Sequence, residues 1–444
     1  MGKKISVSII FFTIILLLFL TIVPAAAAAT TTSDKYVATT ADGVELAMKR
    51  YRPDQKAGFR KHGQPVILMP GIMSNSNYFD IYTPAGKTYN VQLPSPLPTW
   101  AKHDRYIKKD PMRYFSMAHY LWTQGYDVWV ANYRGQGRDP YMSGGATGYS
   151  LDDCGIYDVP AIVEKVYEVT KKHPIWMGHS MGSSMANIYL QGAKYGEGEN
   201  PHVISDPALA AERNGGNGKQ SLKALVYLDG PMGTAGGPAI DMPAYWELLN
   251  CPWYVDFRFL LSLIGDSMGV PTYFLDQISW FFFQMLGCPD LGILNVIFLA
   301  NPNNFEPNVM TYMLTYGIDG TSTRSFAQLQ EAHVHHKFRE DYLNGPENAS
   351  VVVPPVPAAG DGYYYYSDNL SKITLPAMVI ADDTCDLTMP EDIHNFYLWK
   401  GRNPVDVFMR VPDTAHADIV CGLKGPSEIW PEINKWVKKL PRQK

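Results

Sequence analysis

Short apolar runs alternate with helical patterns along most of the chain. Six of these runs are typical of buried strands: 66–69, 126–131, 173–177, 225–228, 377–381 and 405–411. Between them, apolar residues recur at intervals of three and four, as in 114–124 and 159–172, which predicts amphipathic helices. Short apolar strands separated by helices favour a mostly parallel central sheet with helices on both faces. We therefore predict an α/β fold.

One long segment interrupts this alternation. Residues 231–342 show no clear strand pattern and are crowded with aromatic side chains, including the run Trp-Phe-Phe-Phe at 280–283. We interpret this segment as a helical cap inserted late in the sheet, between a first core part, 36–230, and a second, 343–444. The aromatic run is expected either to pack inside the cap or to contact a lipid surface.

The N-terminus resembles a targeting segment. Lys3 and Lys4 precede an apolar stretch, 5–23, and Pro24 and five alanines follow. This order predicts a signal peptide over residues 1–29 and a secreted protein. Because the apolar stretch approaches the ~20 residues that span a bilayer, an uncleaved membrane anchor is the alternative. In both cases the body of the protein lies outside the cytoplasm.

Composition narrows the class of partner. There are 38 Lys and Arg residues against 43 Asp and Glu, a net charge of −5, which argues against a nucleic-acid-binding protein. Charged residues make up 18% of the chain, below the ~25% of an average domain, and aromatic residues make up 13%. The low share of charged residues and the high share of aromatic residues point to an apolar cavity or an apolar partner.

The clearest chemical motif surrounds Ser180. Residues 178–182 read Gly-His-Ser-Met-Gly, which fits the pattern G-x-S-x-G, and they lie between a predicted strand and a predicted helix. In that setting a tight turn presents the hydroxyl at the start of the helix, and the flanking glycines let helix and strand approach. We predict Ser180 as a nucleophile.

A nucleophilic serine needs a base and an acid that orients the base. In a strand–turn–helix site of this kind the order along the chain is Ser, acid, His. The last histidine, His416, follows the sixth predicted strand and is the predicted base. Three carboxylates follow the fifth strand, Asp382, Asp383 and Asp386, although Asp382 lies close to the strand end.

Backbone amides are expected to stabilise an oxyanion beside Ser180. One donor is the N–H of Met181, the residue after the nucleophile, and the other comes from the loop after the first strand. In that loop, Pro-Gly-Ile-Met at 70–73, we predict the amide of Ile72, with Met73 as second choice.

Several stretches together resemble the acid lipase branch of the α/β-hydrolases, the gastric and lysosomal type. They are Gly-Tyr-Asp-Val-Trp at 125–129, Tyr-Asp-Val-Pro-Ala at 157–161, the Ser180 motif, and 325–342, which ends in Phe-Arg-Glu-Asp-Tyr. The resemblance begins near residue 36 and is poor in the cap. Pro70 stands where the family usually has His, and Met181 where it has Gln. The resemblance implies the α/β-hydrolase fold and a Ser-Asp-His triad. Because of these departures, it leaves the choice of ester open.

The acid is chosen on the same resemblance. Asp386 begins a D-x-x-x-P pattern like the usual acid loop of such hydrolases, so we predict it as the triad acid, with Asp383 in reserve. We set aside His333, His335 and His336 as a metal cluster, because they lie on a predicted helix without a carboxylate pair at ligand spacing. No metal and no cofactor are expected.

The predicted function is that of a serine carboxylic ester hydrolase, a lipase or esterase, acting on a small-molecule or lipid ester with an apolar acyl group. Two alternatives remain open. One is an acyltransferase or amidase that uses the same triad, and the other is a non-catalytic binding member of the fold.

Overall fold

The fold is built on an eight-stranded sheet. In the computed structural model, residues 34–53, 63–199, 201–236, 241, 243–259, 261–262, 302–348, 351–383 and 388–441 are described. The sheet strands are β1 Lys35–Thr39, β2 Glu45–Tyr51, β3 Pro65–Met69, β4 Asp127–Ala131, β5 Ile175–His179, β8 Ala224–Leu228, β11 Ala377–Ala381 and β12 Val407–Arg410. Two short ribbons lie outside it, formed by β6 Ala193–Tyr195 with β7 Val203–Ser205, and by β9 Tyr254–Asp256 with β10 Gly320–Ser322.

Helices connect these strands. The described α-helices are α1 Arg105–Lys109, α2 Met117–Thr123, α3 Leu151–Asp153, α4 Val159–Thr170, α5 Met181–Leu190, α6 Pro207–Arg213, α7 Pro243–Leu249, α8 Pro307–Tyr312, α9 Thr323–His335, α10 Pro390–Trp399, α11 Asp418–Cys421 and α12 Trp430–Val437. A π turn, Cys154–Asp158, joins α3 to α4. Within the described ranges, none of these helices is long and apolar enough to cross a membrane.

The strand order confirms the predicted sheet. It runs β1-β2-β4-β3-β5-β8-β11-β12. The pairs β1–β2 and β2–β4 are antiparallel, and every pairing from β4 to β12 is parallel. All six predicted strands occur within two residues of their expected limits. The antiparallel hairpin β1–β2 was not predicted, because its half-exposed residues lack the continuous apolar run of a central strand.

Alternation along the strands produces two cores. On β3, Val66 and Leu68 face one core, whereas Ile67 and Met69 face the other. The first core is covered by α2 and α12, and the second by α4, α5 and α10. Helices therefore cover both faces of the sheet, as predicted.

The cap segment is only partly described. Its limits, 231–342, remain a prediction, and residues 263–301, including the aromatic run at 280–283, lie outside the described residues. The expectation that this segment contains no strand is wrong, because Tyr254–Asp256 pairs with Gly320–Ser322. Strands of three residues are too short to show a period in the sequence. The proposed signal segment, 1–29, also lies outside the description.

A buried carboxylate fixes the chain just beyond β8. Asp392, in the first turn of α10, accepts hydrogen bonds from the backbone amides of Met232, Gly233 and Thr234 at 2.7, 2.8 and 2.8 Å. Burial raises the pKa of Asp392, and these donors oppose that shift. The residues after β8 therefore depend on a side chain more than 150 positions away.

Removing this carboxylate should destabilise the protein. We expect Asp392→Ala to lower the free energy of unfolding by at least about 3 kcal/mol, because three backbone amides, two of them buried, lose their acceptor. Denaturant unfolding measures this. The control is Glu391→Ala, which removes an exposed carboxylate from the same helical turn and should cost less than about 1 kcal/mol. Equal losses in the two variants would contradict the assignment.

Candidate active site

Ser180 occupies a strained turn between β5 and α5. Its backbone is in the left-handed region, with φ +53° and ψ −127°, and its side chain is buried. A Cβ on Gly178 would lie 2.4 Å from the oxygen of Gly182, and one on Gly182 would lie 2.4 Å from the oxygen of Met69. Both glycines are therefore required by close backbone approaches, the geometry expected for a nucleophile elbow.

The loop after β3 lies directly against this turn. A Cβ on Gly71 would come within 2.7 Å of the Ser180 Cβ, so only glycine fits beside the hydroxyl. Two residues later, Met73 has a positive φ of 62°. The amide of Ile72 lies between these two special positions. Met181 is the first residue of α5, and its N–H has no acceptor within the helix.

His416 has a carboxylate partner that the sequence analysis did not identify. Its Nδ1 lies 2.5 Å from Oδ2 of Asp229, and both side chains are buried. Thr388 donates its hydroxyl to the same carboxylate oxygen at 3.0 Å and lies 3.0 Å from Nδ1. Asp229 directly follows β8 and has a φ of +53°. The carboxylate therefore fixes the imidazole with Nδ1 as donor.

The three sequence candidates for the acid have different outcomes. Asp386 lies outside the described residues and stays a prediction. Asp383 pairs instead with Arg410, at 2.5 Å. Asp382 is buried beside Asp229 and donates its amide to Oδ1 of Asp229 at 3.2 Å. Asp229 could have been found by extending the search to the end of the fourth predicted strand, which neighbours the Ser180 strand.

His179 links His416 to the turn at Ser180. Its Nε2 donates to the carbonyl of His416 at 3.0 Å, and the two ring centroids lie 4.4 Å apart. The ring of Tyr78 stacks on it at 5.1 Å. Burial lowers the pKa of His179 well below its usual value, and the nearby His416 lowers it further. A neutral His179, the residue directly before Ser180, therefore binds the backbone of His416.

The same corner has a donor set that could hold a cation. Ligand atoms of Asp229, Asp382 and His416 lie within 4.8 Å of one another, and no other such group occurs among the described residues. However, Nδ1 of His416 already contacts Asp229 and Thr388. His333, one of the histidines set aside earlier, contacts the carbonyl of Gly236 at 3.1 Å.

The strand order and the turn at Ser180 show that the chain has the α/β-hydrolase fold. Residues 110–228 match the family described as serine aminopeptidase, S33. Gastric triacylglycerol lipase of Bos taurus is 24% identical over 331 residues, which are 72% of this chain and 73% of that protein. Human lipase member N is 22% identical over 420 residues, 90% and 86% of the two chains. The sequence is thus similar to that of gastric-type lipases.

Among solved structures, the chain is similar to a monoacylglycerol lipase of Paleococcus ferrophilus. It is 11% identical, with a TM-score of 0.45, and the match covers 89% of this chain and all of that one.

The contact between Gly71 and Ser180 can be tested chemically. We expect Gly71→Ala to slow labelling of Ser180 by a fluorophosphonate about 100-fold, because the added methyl group displaces either the hydroxyl or the loop. Mass spectrometry of the intact protein measures the rate. Gly144→Ala is the control, since its Cβ would lie 3.8 Å from the nearest atom. Labelling of Gly71→Ala at the rate of the control would contradict the described geometry.

Proposed function

We propose that this protein is a serine carboxylic ester hydrolase that acts through Ser180, His416 and Asp229. The observation that carries the proposal is the 2.5 Å contact between His416 and Asp229, in a loop held against the Ser180 turn. Similarity to gastric-type lipases over 72% of the chain supports the same reaction class. The acid in this proposal differs from Asp386, which the sequence analysis predicts.

The mechanism assigns one task to each group. The Ser180 hydroxyl attacks the ester carbonyl while Nε2 of His416 takes its proton and later passes it to the leaving alcohol. Asp229 stabilises the charge that the imidazole gains. The amides of Ile72 and Met181 are the proposed donors to the tetrahedral oxyanion. Water then attacks the acyl-enzyme, with His416 again acting as base. This step releases the carboxylic acid product and restores the Ser180 hydroxyl.

The substrate is proposed from the composition and the relatives. The relatives include a gastric triacylglycerol lipase, and the segment 231–342 is rich in aromatic residues. We propose an ester with an apolar acyl chain, and contact of the cap with a lipid surface. Secretion through the segment 1–29 belongs to the same proposal.

Amide hydrolysis is the second candidate. It is favoured by the match of residues 110–228 to a family described as a serine aminopeptidase. The same triad can cleave either bond, so the two candidates differ in the substrate that is turned over faster.

Activity should depend on the Ser180 hydroxyl. We expect the purified protein to hydrolyse p-nitrophenyl esters between C2 and C16, with the highest kcat/KM at long chains, and an aminoacyl anilide poorly. Ser180→Ala should lose at least about 1000-fold in kcat because the acyl-enzyme cannot form. The matched control is Ser184→Ala, which removes a buried hydroxyl from the same helix, bonded to the carbonyl of Pro231 at 2.7 Å. Retained esterase activity in Ser180→Ala would overturn the proposal.

The identity of the acid can be decided by paired variants. We expect Asp229→Asn to lower kcat about 100- to 10,000-fold, because an amide cannot stabilise the imidazolium. Asp386→Asn should lose much less. Steady-state kinetics on one ester compares the two variants, and circular dichroism checks their folding. The opposite ranking would return the role to Asp386 and leave the proposed reaction class unchanged.

A further inference from the structure

A further buried carboxylate, Asp319, belongs to the cap segment and contacts the loop after β3. It immediately precedes β10 and is fully buried. Its Oδ2 accepts the backbone amide of Gly137 at 2.6 Å, and its own amide donates to the carbonyl of Met73 at 2.6 Å. Its Oδ1 accepts Nδ2 of Asn75 at 2.8 Å. One residue therefore contacts the loops that follow β3 and β4.

The neighbouring backbone strengthens this attachment. The amide of Asn75 donates to the carbonyl of Gly317 at 3.0 Å, and its side-chain amide donates to that of Tyr316 at 2.8 Å. Ser74 forms an antiparallel bridge with Ile318. Residues 73–75 are thus fixed by residues 316–319, almost 250 positions later in the chain. At the other end of the loop, the carbonyl of Gly71 accepts the hydroxyl of Tyr133 at 3.0 Å and the amide of Ser74 at 3.2 Å.

Two arginines balance the charge of Asp319. Arg138 and Arg258 each place Nε 3.2 Å from Oδ1. Burial raises the pKa of Asp319, whereas the two guanidinium groups lower it. Arg258 follows β9 and Arg138 follows β4, so the carboxylate joins three separate parts of the chain. A neutral side chain of the same shape would leave both cations without their common partner.

We propose that Asp319 is a positioning residue for the oxyanion loop, residues 71–75, and that it acts through Asn75 and the carbonyl of Met73. The inference rests on the proposed function, because it assigns the Ile72 amide to the oxyanion. Met73 has a positive φ, which costs free energy for a residue with a side chain and persists only where other contacts impose it. The Asp319 amide binds the carbonyl of this same residue. Loss of the carboxylate's contacts with Asn75, Arg138 and Arg258 lets residue 319 and the loop shift together, and this moves the adjacent Ile72 amide.

The displacement affects the transition state more than the bound substrate. An oxyanion donor acts on the charge that develops during attack, so its misplacement lowers kcat. A shift of about 1 Å in such a group can cost about 100-fold in rate. KM and the acyl-chain preference depend on other contacts and should change little.

The experiment compares Asp319→Asn and Asn75→Ala with Asp341→Asn. Asp341 is a matched control, since it is a buried carboxylate paired with Arg324 in the same part of the chain, and it contacts neither loop. Four quantities are measured: kcat and KM on one p-nitrophenyl ester, the inhibition constant of an alkyl trifluoromethyl ketone, and the melting temperature. The ketone forms a hemiketal oxyanion on serine, so its affinity reports on the donors.

We expect Asp319→Asn and Asn75→Ala to lower kcat about 10- to 100-fold, while KM stays within about threefold of the unaltered protein. The inhibition constant of the ketone should rise by the same factor by which kcat falls. The double variant should lose no more than the stronger single variant. Asp341→Asn should lower only the melting temperature. The inference is overturned if kcat of folded Asp319→Asn or Asn75→Ala equals that of Asp341→Asn, or if the ketone affinity is unchanged.

Failure of the proposed function gives a different result. If Ser180→Ala keeps its esterase activity, the reaction assignment fails, whatever Asp319→Asn does. If Ser180→Ala is inactive and Asp319→Asn is fully active, only the role of Asp319 fails. Should Asp319→Asn not fold, Asn75→Ala tests the same link from the other side.

Discussion

The close approach of the β3 end to the Ser180 turn is the constraint on which the site depends. Gly182 leaves no room for a side chain against the carbonyl of Met69, and Gly71 leaves none against Ser180. These contacts are possible because β3 and β5 are adjacent and parallel, so both chains leave the sheet at the same edge. The positive φ of Ser180 is maintained by this packing.

The order of the remaining strands brings in the other groups. Asp229, Asp382 and His416 follow β8, β11 and β12, which lie side by side beyond β5. A residue just after any of these strands therefore reaches the same corner. Two carboxylates lie there, and their contacts differ. Asp229 contacts the imidazole of His416, whereas the backbone amide of Asp382 donates a hydrogen bond to Asp229.

The sheet could be predicted because its central strands are continuous apolar runs, and the turn at Ser180 could be predicted because it needs glycines at fixed positions. Asp229 was missed for a physical reason. Its role depends on which strand ends lie next to His416, and this is a property of strand order that a local motif does not carry. The strands β9 and β10 escaped prediction because three residues show no period, and their pairing joins residues more than 60 positions apart.

Asp319 illustrates the same limit at longer range. In the sequence it is one aspartate in a stretch without a motif, yet it binds the loop that carries the Ile72 amide. The proposed triad and the oxyanion loop are therefore supported by different parts of the chain: His416 and Asp229 by the edge of the sheet, and the loop by residues 316–319 of the cap segment. A change at the base of the cap reaches the oxyanion loop through Asp319 and Asn75, while the contact between His416 and Asp229 stays as it is. This separation makes a selective loss of kcat the expected signature of that part of the protein.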